Sequence, residues 1–319
     1  MMNQLLHSSC NMTATNNYTS FYSTTSSSVT NTSSRAGYGH VSLSSSPTRI
    51  ILVCIYTVVL VVGALGIALM INVLKSNLRS VTTVAVLNII VAHLLFLPSI
   101  PFRIDYYARN SWDLPSWVCR VVSAMIHIHM YISFIIYVAV LTLRFHGFYK
   151  RAERQVFYRK LHSLGASAAI WAVVLIVAPL VLWLKYGEAS DDHTCFRFGL
   201  RMKDPGVREI NYIISAVFLI VPIVLSGIQG HILLTIIRQY GATSSSQQEF
   251  WAQVKSLCFV LIMLVCFVPY HIFRMHYLSN PELEDENEIF LAITALSCFD
   301  LLIFVWRGAC HSCSRANVF

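Results

Sequence analysis

In the stretch CFVPYHIFR, Cys266 to Arg274, a proline, a histidine and an arginine close a run that is otherwise apolar, with SLCFVLIML before it and MHYL after it. Phe267, His271 and Arg274 recur at i, i+4 and i+7, so on a helix they share one face. An imidazole and a guanidinium on one face can hold a phosphate or a carboxylate, and Arg103 is a third candidate cation for the same clamp. A second reading of Arg274 stands beside this one, in which the long side chain reaches out to lipid headgroups. The stretch PELEDENE, Pro281 to Glu288, places five carboxylates nearby, which would neutralise Arg274 or repel an anionic ligand. His127, Met130 and Tyr131 can line the same cavity, with packing the alternative role for Met130. His127 and His129 in IHIHM stand two residues apart, so on a helix they face different directions and make no metal site. Covalent chemistry lacks its parts. There is no His-Glu-x-x-His and no serine elbow, and Asp300 is the only acid deep within an apolar segment. No cofactor is expected.

The elements that hold these residues follow from composition. The chain has 319 residues, 56% hydrophobic and only 12% charged, with mean hydropathy +0.61. A soluble domain carries about 25% charged residues, so this composition belongs in a bilayer. Seven apolar blocks, about 50–74, 81–102, 117–143, 163–184, 210–237, 254–278 and 288–306, are each long enough to cross it as a helix. The expected fold is an all-α integral membrane protein, a seven-transmembrane helix bundle. The net charge of +8 does not point to nucleic acid, because the basic residues are scattered over loops without interleaved aromatics. A transporter would show an internal repeat or paired broken helices, and neither is present.

Residues 1–48 are rich in Ser, Thr and Asn and are expected to form a disordered tail. Asn11, Asn17 and Asn31 head three glycosylation sequons, which function only if the tail lies outside. With no apolar block before residue 50, the first span is expected to act as the targeting signal. An outside amino terminus puts the basic loop after the third span, with Arg144, Lys150, Arg151, Arg154, Arg159 and Lys160, in the cytosol. Residues 49–306 are then the membrane domain and 307–319 a short cytosolic tail. Cys119 and Cys195 both fall outside, where an oxidising compartment allows them to pair, two free thiols being the alternative. Cys310 and Cys313 fall in the cytosolic tail, as palmitoylation sites or as free thiols.

Several motifs are similar to those of the rhodopsin-like (class A) G-protein-coupled receptors. LNIIVAHLL, Leu87 to Leu95, resembles that family's second-helix motif Leu-Asn-Leu-Ala-x-x-Asp-Leu-Leu. Trp112, Arg144, Trp171 and Pro222 fall on landmark positions, CFVPYH resembles Cys-Trp-x-Pro-Tyr, and DLLIF, Asp300 to Phe304, stands where Asn-Pro-x-x-Tyr is expected. The resemblance covers residues 49 to about 310. The Phe267, His271, Arg274 and Asp300 pattern looks like the branch that contains the nucleotide receptors. That branch's Lys-Glu-x-x-Leu is not reproduced in register, since Glu286 takes the lysine's place.

The resemblance implies a plasma-membrane receptor that binds an extracellular ligand and engages a heterotrimeric G protein, with membrane lipids around it. The side chains of Arg274, His271 and Arg103, and not the resemblance, are what point to an anionic ligand. Pro269 would hinge the sixth helix, and Arg144 would be the arginine released to the G protein on activation. Leu143 replaces the acid that usually precedes this arginine, so Glu249 becomes the candidate partner, a solvated charge being its other reading. Altered positions, Leu143, Phe145, Gly230, Ile67 and Leu301, leave a non-signalling decoy or dimer partner of the same fold as the alternative function. In many relatives an aspartate, a serine and an asparagine surround a sodium ion. Here His93 takes the aspartate's place, Ser133 is kept, and Asp300 takes the asparagine's. An imidazole is therefore expected to face a carboxylate, or else His93 bonds a backbone carbonyl and Asp300 other polar groups.

Overall fold

The computed structural model describes residues 47–76, 81–149, 165, 167–169, 171–172, 194–196, 205–241, 248–280 and 282–302. Asn11, Asn17, Asn31, Phe304, Cys310 and Cys313 lie outside the described residues, as does the side chain of Glu249. Among the described residues five helices are long and apolar enough to cross a membrane: Pro47–Asn72, Val86–Arg109, Ser116–Phe145, Pro205–Tyr240 and Phe250–Tyr277. They correspond to the first, second, third, fifth and sixth expected spans. The seventh begins with helix Glu284–Thr294 and tightens at Ala295–Phe299. The fourth is represented by helical residues between 165 and 172.

The helices outrun the apolar blocks. The second was expected to end at 102, yet it continues to Arg109 through the polar sequence RIDYYAR. Apolarity marks the bilayer, whereas the helix persists beyond it, supported by an exposed Arg109–Asp105 ion pair at 2.8 Å one turn apart. It stops at Asn110, whose left-handed backbone (φ 60°) lets its N–H close on Tyr106 O at 2.7 Å.

Prolines shape two spans. Pro98 and Pro101 each remove a backbone donor, and the second span passes through a tight turn at Leu97–Ser99. The Ser99 hydroxyl donates to Phe96 O at 2.7 Å. In the sixth span Pro269 follows a widened π turn at Met263–Phe267, where the Val268 N–H reaches back to Met263 O. The extra residue in that turn accommodates the ring that would otherwise strike the preceding turn.

The first span packs on the second and seventh, the second on the third, the fifth on the sixth, and the sixth on the seventh, while the third meets the sixth. Two glycines set the first span's distances. A Cβ on Gly66 would lie 2.9 Å from Leu301 Cβ, and one on Gly63 would lie 3.0 Å from the tip of Leu97. At the centre Phe267 meets Phe134, Tyr137 and Phe218, and Phe134 stacks on Phe218 at 3.9 Å. Cys119 and Cys195 form the expected disulfide, with Cα atoms 5.8 Å apart.

Candidate functional site

At the disulfide end of the bundle the predicted face exists. Phe267, His271 and Arg274 are all buried, which places Arg274 inside the protein instead of out among headgroups. Its guanidinium donates to Asn211 Oδ1 at 3.1 Å from the fifth span and to Asn287 Oδ1 at 3.5 Å from the seventh, and it lies 5.4 Å from the Tyr277 ring centre. His271 Nδ1 meets the Ser215 hydroxyl at 3.2 Å. On the third span His127 Nδ1 donates to Ser123 O at 3.2 Å, so its Nε2 accepts from the Tyr270 hydroxyl at 3.5 Å. Tyr131 is half-buried with its ring edge toward Phe218.

Arg103 has a different setting. It is fully buried and donates to the Tyr56 hydroxyl at 3.1 Å, to Glu288 Oε2 at 3.4 Å, and to the carbonyls of Val122 and Ser123. Tyr107 donates to the same Glu288 oxygen at 2.9 Å. Phe196, beside the disulfide, covers the guanidinium at 4.3 Å. Its left-handed backbone (φ 65°) turns the ring inward among Tyr106, Tyr107 and Trp112. Glu288 is thus a site residue that the sequence reading left in an acidic loop. Its partner lies 185 positions away, and only the rotation of the seventh helix decides which of the five carboxylates turns inward.

Midway along the bundle a polar chain joins three spans. His93 Nε2 donates to Asp300 Oδ1 at 3.0 Å, and Tyr137 donates to Asp300 Oδ2 at 2.6 Å. His93 Nδ1 and His129 Nε2 lie 2.9 Å apart, and Ser133 Oγ is 3.4 Å from the same His129 nitrogen. All five residues are buried, and Phe96 stacks on the His129 ring at 4.2 Å. Asp300 therefore has a donor for each oxygen, which a buried carboxylate requires. His129 and Tyr137 were not predicted here. A signal existed: 129, 133 and 137 form a polar stripe at i, i+4 and i+8 on an apolar helix.

At the opposite end Arg144 donates to Ala252 O at 2.6 Å and to the Ser256 hydroxyl at 3.2 Å, both on the sixth span. Beside it Gln229 of the fifth span donates to Gln253 O at 2.9 Å. Glu249 lies one turn before Gln253 on the same helix. Asn88 accepts from the Trp171 indole at 2.9 Å and from Ser167 at 2.7 Å, tying the second span to the fourth.

The sequence profile described as "7 transmembrane receptor (rhodopsin family)" matches residues 66–313. The chain belongs to that family. The receptor is 41% identical over 271 residues to probable G-protein coupled receptor 141 of Homo sapiens, covering 81% of this chain and 88% of that one. It is 28% identical to probable G-protein coupled receptor 34 of Mus musculus, covering 80% and 72%. With cysteinyl leukotriene receptor 2 of Homo sapiens it shares 26% identity, covering 80% and 77%. It is a multi-pass protein of the plasma membrane.

Proposed function

We propose that the receptor transmits the binding of an extracellular ligand to a heterotrimeric G protein, with the disulfide end outside and the Arg144 end in the cytosol. The observation that carries this reading is the attachment of Arg144 to Ala252 and Ser256 on the sixth span. Outward movement of that span about the wide turn before Pro269 breaks both bonds and frees the guanidinium for the α subunit. The receptor is then a two-state device biased by whatever binds at the other end. The sequons at Asn11, Asn17 and Asn31 and the basic loop after the third span support this orientation.

The ligand is an anion held around Arg274, with His271, His127 and Tyr131 on the surrounding walls. Phe267 and Pro269 transmit its presence to the cytosolic half. Arg103 holds Glu288 and shapes the cavity from the side. The test is loading of a GTP analogue onto a panel of α subunits by purified receptor. At least one subunit should load above the receptor-free rate, and Arg144→Ala should remove that loading. A panel on which native receptor changes no rate, with or without phosphate and carboxylate ligands, sinks the reading and leaves the non-signalling role.

A further inference from the structure

Three buried polar atoms near Arg274 have no hydrogen-bond partner among the described residues: His271 Nε2, Asn287 Nδ2 and Glu288 Oε1. The three residues are 2%, 0% and 4% exposed. In each the other polar atom is already committed. Ser215 occupies His271 Nδ1, so with the serine donating, Nε2 carries a proton and presents a donor. Asn287 Oδ1 accepts from Arg274, which turns the amide N–H group away from the guanidinium as a second donor. Glu288 Oε2 takes both the Arg103 and the Tyr107 donors, leaving Oε1 as an acceptor. The three belong to one locality. His271 is one helical turn from Arg274, Arg274 touches Asn287, and Glu288 is the next residue.

A buried donor or acceptor without a partner costs free energy, and a carboxylate oxygen costs most. The complement to this set is an acceptor for Asn287 and His271 together with a donor for Glu288. We infer that the ligand is amphoteric: an anionic group beside Arg274, Asn287 and His271, and a hydrogen-bond donor, an ammonium above all, on Glu288 Oε1. Arg103 holds Glu288 from behind through Oε2 and keeps Oε1 aimed at the ligand. A second anionic group in the donor's place meets the carboxylate and is repelled. This inference rests on the anionic-ligand reading above and narrows it.

The chemistry occurs in lipid headgroups and in free metabolites, and matched probes separate the two sources. Thermal unfolding of purified receptor is followed with lysophosphatidylethanolamine against lysophosphatidic acid of the same chain, and with phosphoethanolamine against inorganic phosphate. In one pair the amine-bearing member should bind roughly tenfold tighter than its counterpart, the effect of one charged hydrogen bond. Which pair shows the preference identifies a lipid or a soluble source. Glu288→Gln should erase the preference while Arg274→Ala weakens both members. The native receptor decides the matter even if a variant fails to fold. Equal or tighter binding of the amine-free members overturns the amphoteric class and leaves the anionic reading standing; no shift with any probe overturns both.

Discussion

His93 Nε2 donates to Asp300 Oδ1 across 3.0 Å, with both side chains fully buried and 207 positions between them in the chain. The relationship fixes two groups that would each be costly alone. Tyr137 completes the carboxylate's second oxygen, and His129 and Ser133 extend the chain across the third span. Where the family pattern places a carboxylate on the second span, this receptor places an imidazole, and its carboxylate stands on the seventh.

That exchange predicts insensitivity to sodium. The His93 ring fills space beside Asp300, and both carboxylate oxygens already accept hydrogen bonds. Replacing potassium by sodium at equal ionic strength should leave the thermal midpoint and basal coupling unchanged. A sodium-specific rise in midpoint or fall in basal coupling would contradict this account.

Acid should act through the same chain. His93 Nδ1 and His129 Nε2, 2.9 Å apart, form a bond only while one proton lies between them. A second proton sets two N–H groups face to face and opens the contact between the second and third spans. The other titratable groups around the chain are Asp300, Tyr137, Cys266 and Cys298. Basal coupling should therefore change when the receptor is acidified. His93→Gln should flatten the profile, and an undiminished response in that variant rejects the mechanism.

The membrane blocks were legible because a span of about 20 apolar residues is a local property of the sequence. The His93–Asp300 relationship was legible only through the family pattern, since nothing local joins positions so far apart. Glu288 was not. Five carboxylates in PELEDENE look alike in sequence, and the helix beginning at Glu284 selects one of them for Arg103. His129 was weighed only against His127, its neighbour on the same helix, while its partners are on other spans. The latch of Arg144 on Ser256 was hidden by chemistry, because a search for a charged partner passes over a hydroxyl and a carbonyl.

That latch sets the next prediction. Ser256→Ala removes a hydrogen bond from the charged Arg144 guanidinium, worth up to about 1.5–3 kcal/mol, and Gln229→Leu removes the neutral amide's bonds to Gln253 O and Oε1, worth about 0.5–1.5 kcal/mol each. Each should raise ligand-free coupling several-fold. Glu249→Ala should add a further increase if that acid also restrains Arg144. Basal loading of GTP analogue at equal surface expression is the measurement, and unchanged rates in both the Ser256 and Gln229 variants rule the latch out.

Gly66 tests how closely the first span must approach the seventh. An added methyl would stand 2.9 Å from Leu301 Cβ, an atom fixed to the backbone. Gly66→Ala should cost about 1–3 kcal/mol, the usual range for overpacking. Gly63→Ala meets only the movable end of Leu97 and should cost less. Equal thermal midpoints for the two variants and the native receptor would show that the spans separate freely.

The two buried arginines should differ on removal. Arg103 neutralises Glu288 inside the bundle, so Arg103→Met leaves a buried carboxylate without its cation, at a cost of about 3–5 kcal/mol. Adding Glu288→Met removes the stranded charge, and the double variant should recover much of the lost stability. Arg274 bonds the neutral amides of Asn211 and Asn287, which can find other partners more readily than a carboxylate can. Arg274→Ala should therefore lower the thermal midpoint less than Arg103→Met does, and should instead weaken an anionic ligand by about 1.5–3 kcal/mol, the worth of a charged hydrogen bond. Midpoints of the four receptors, native, Arg103→Met, Arg103→Met with Glu288→Met, and Arg274→Ala, separate the roles. A larger loss in Arg274→Ala than in Arg103→Met, or no recovery in the double variant, would assign the structural role to Arg274 and return Arg103 to the ligand.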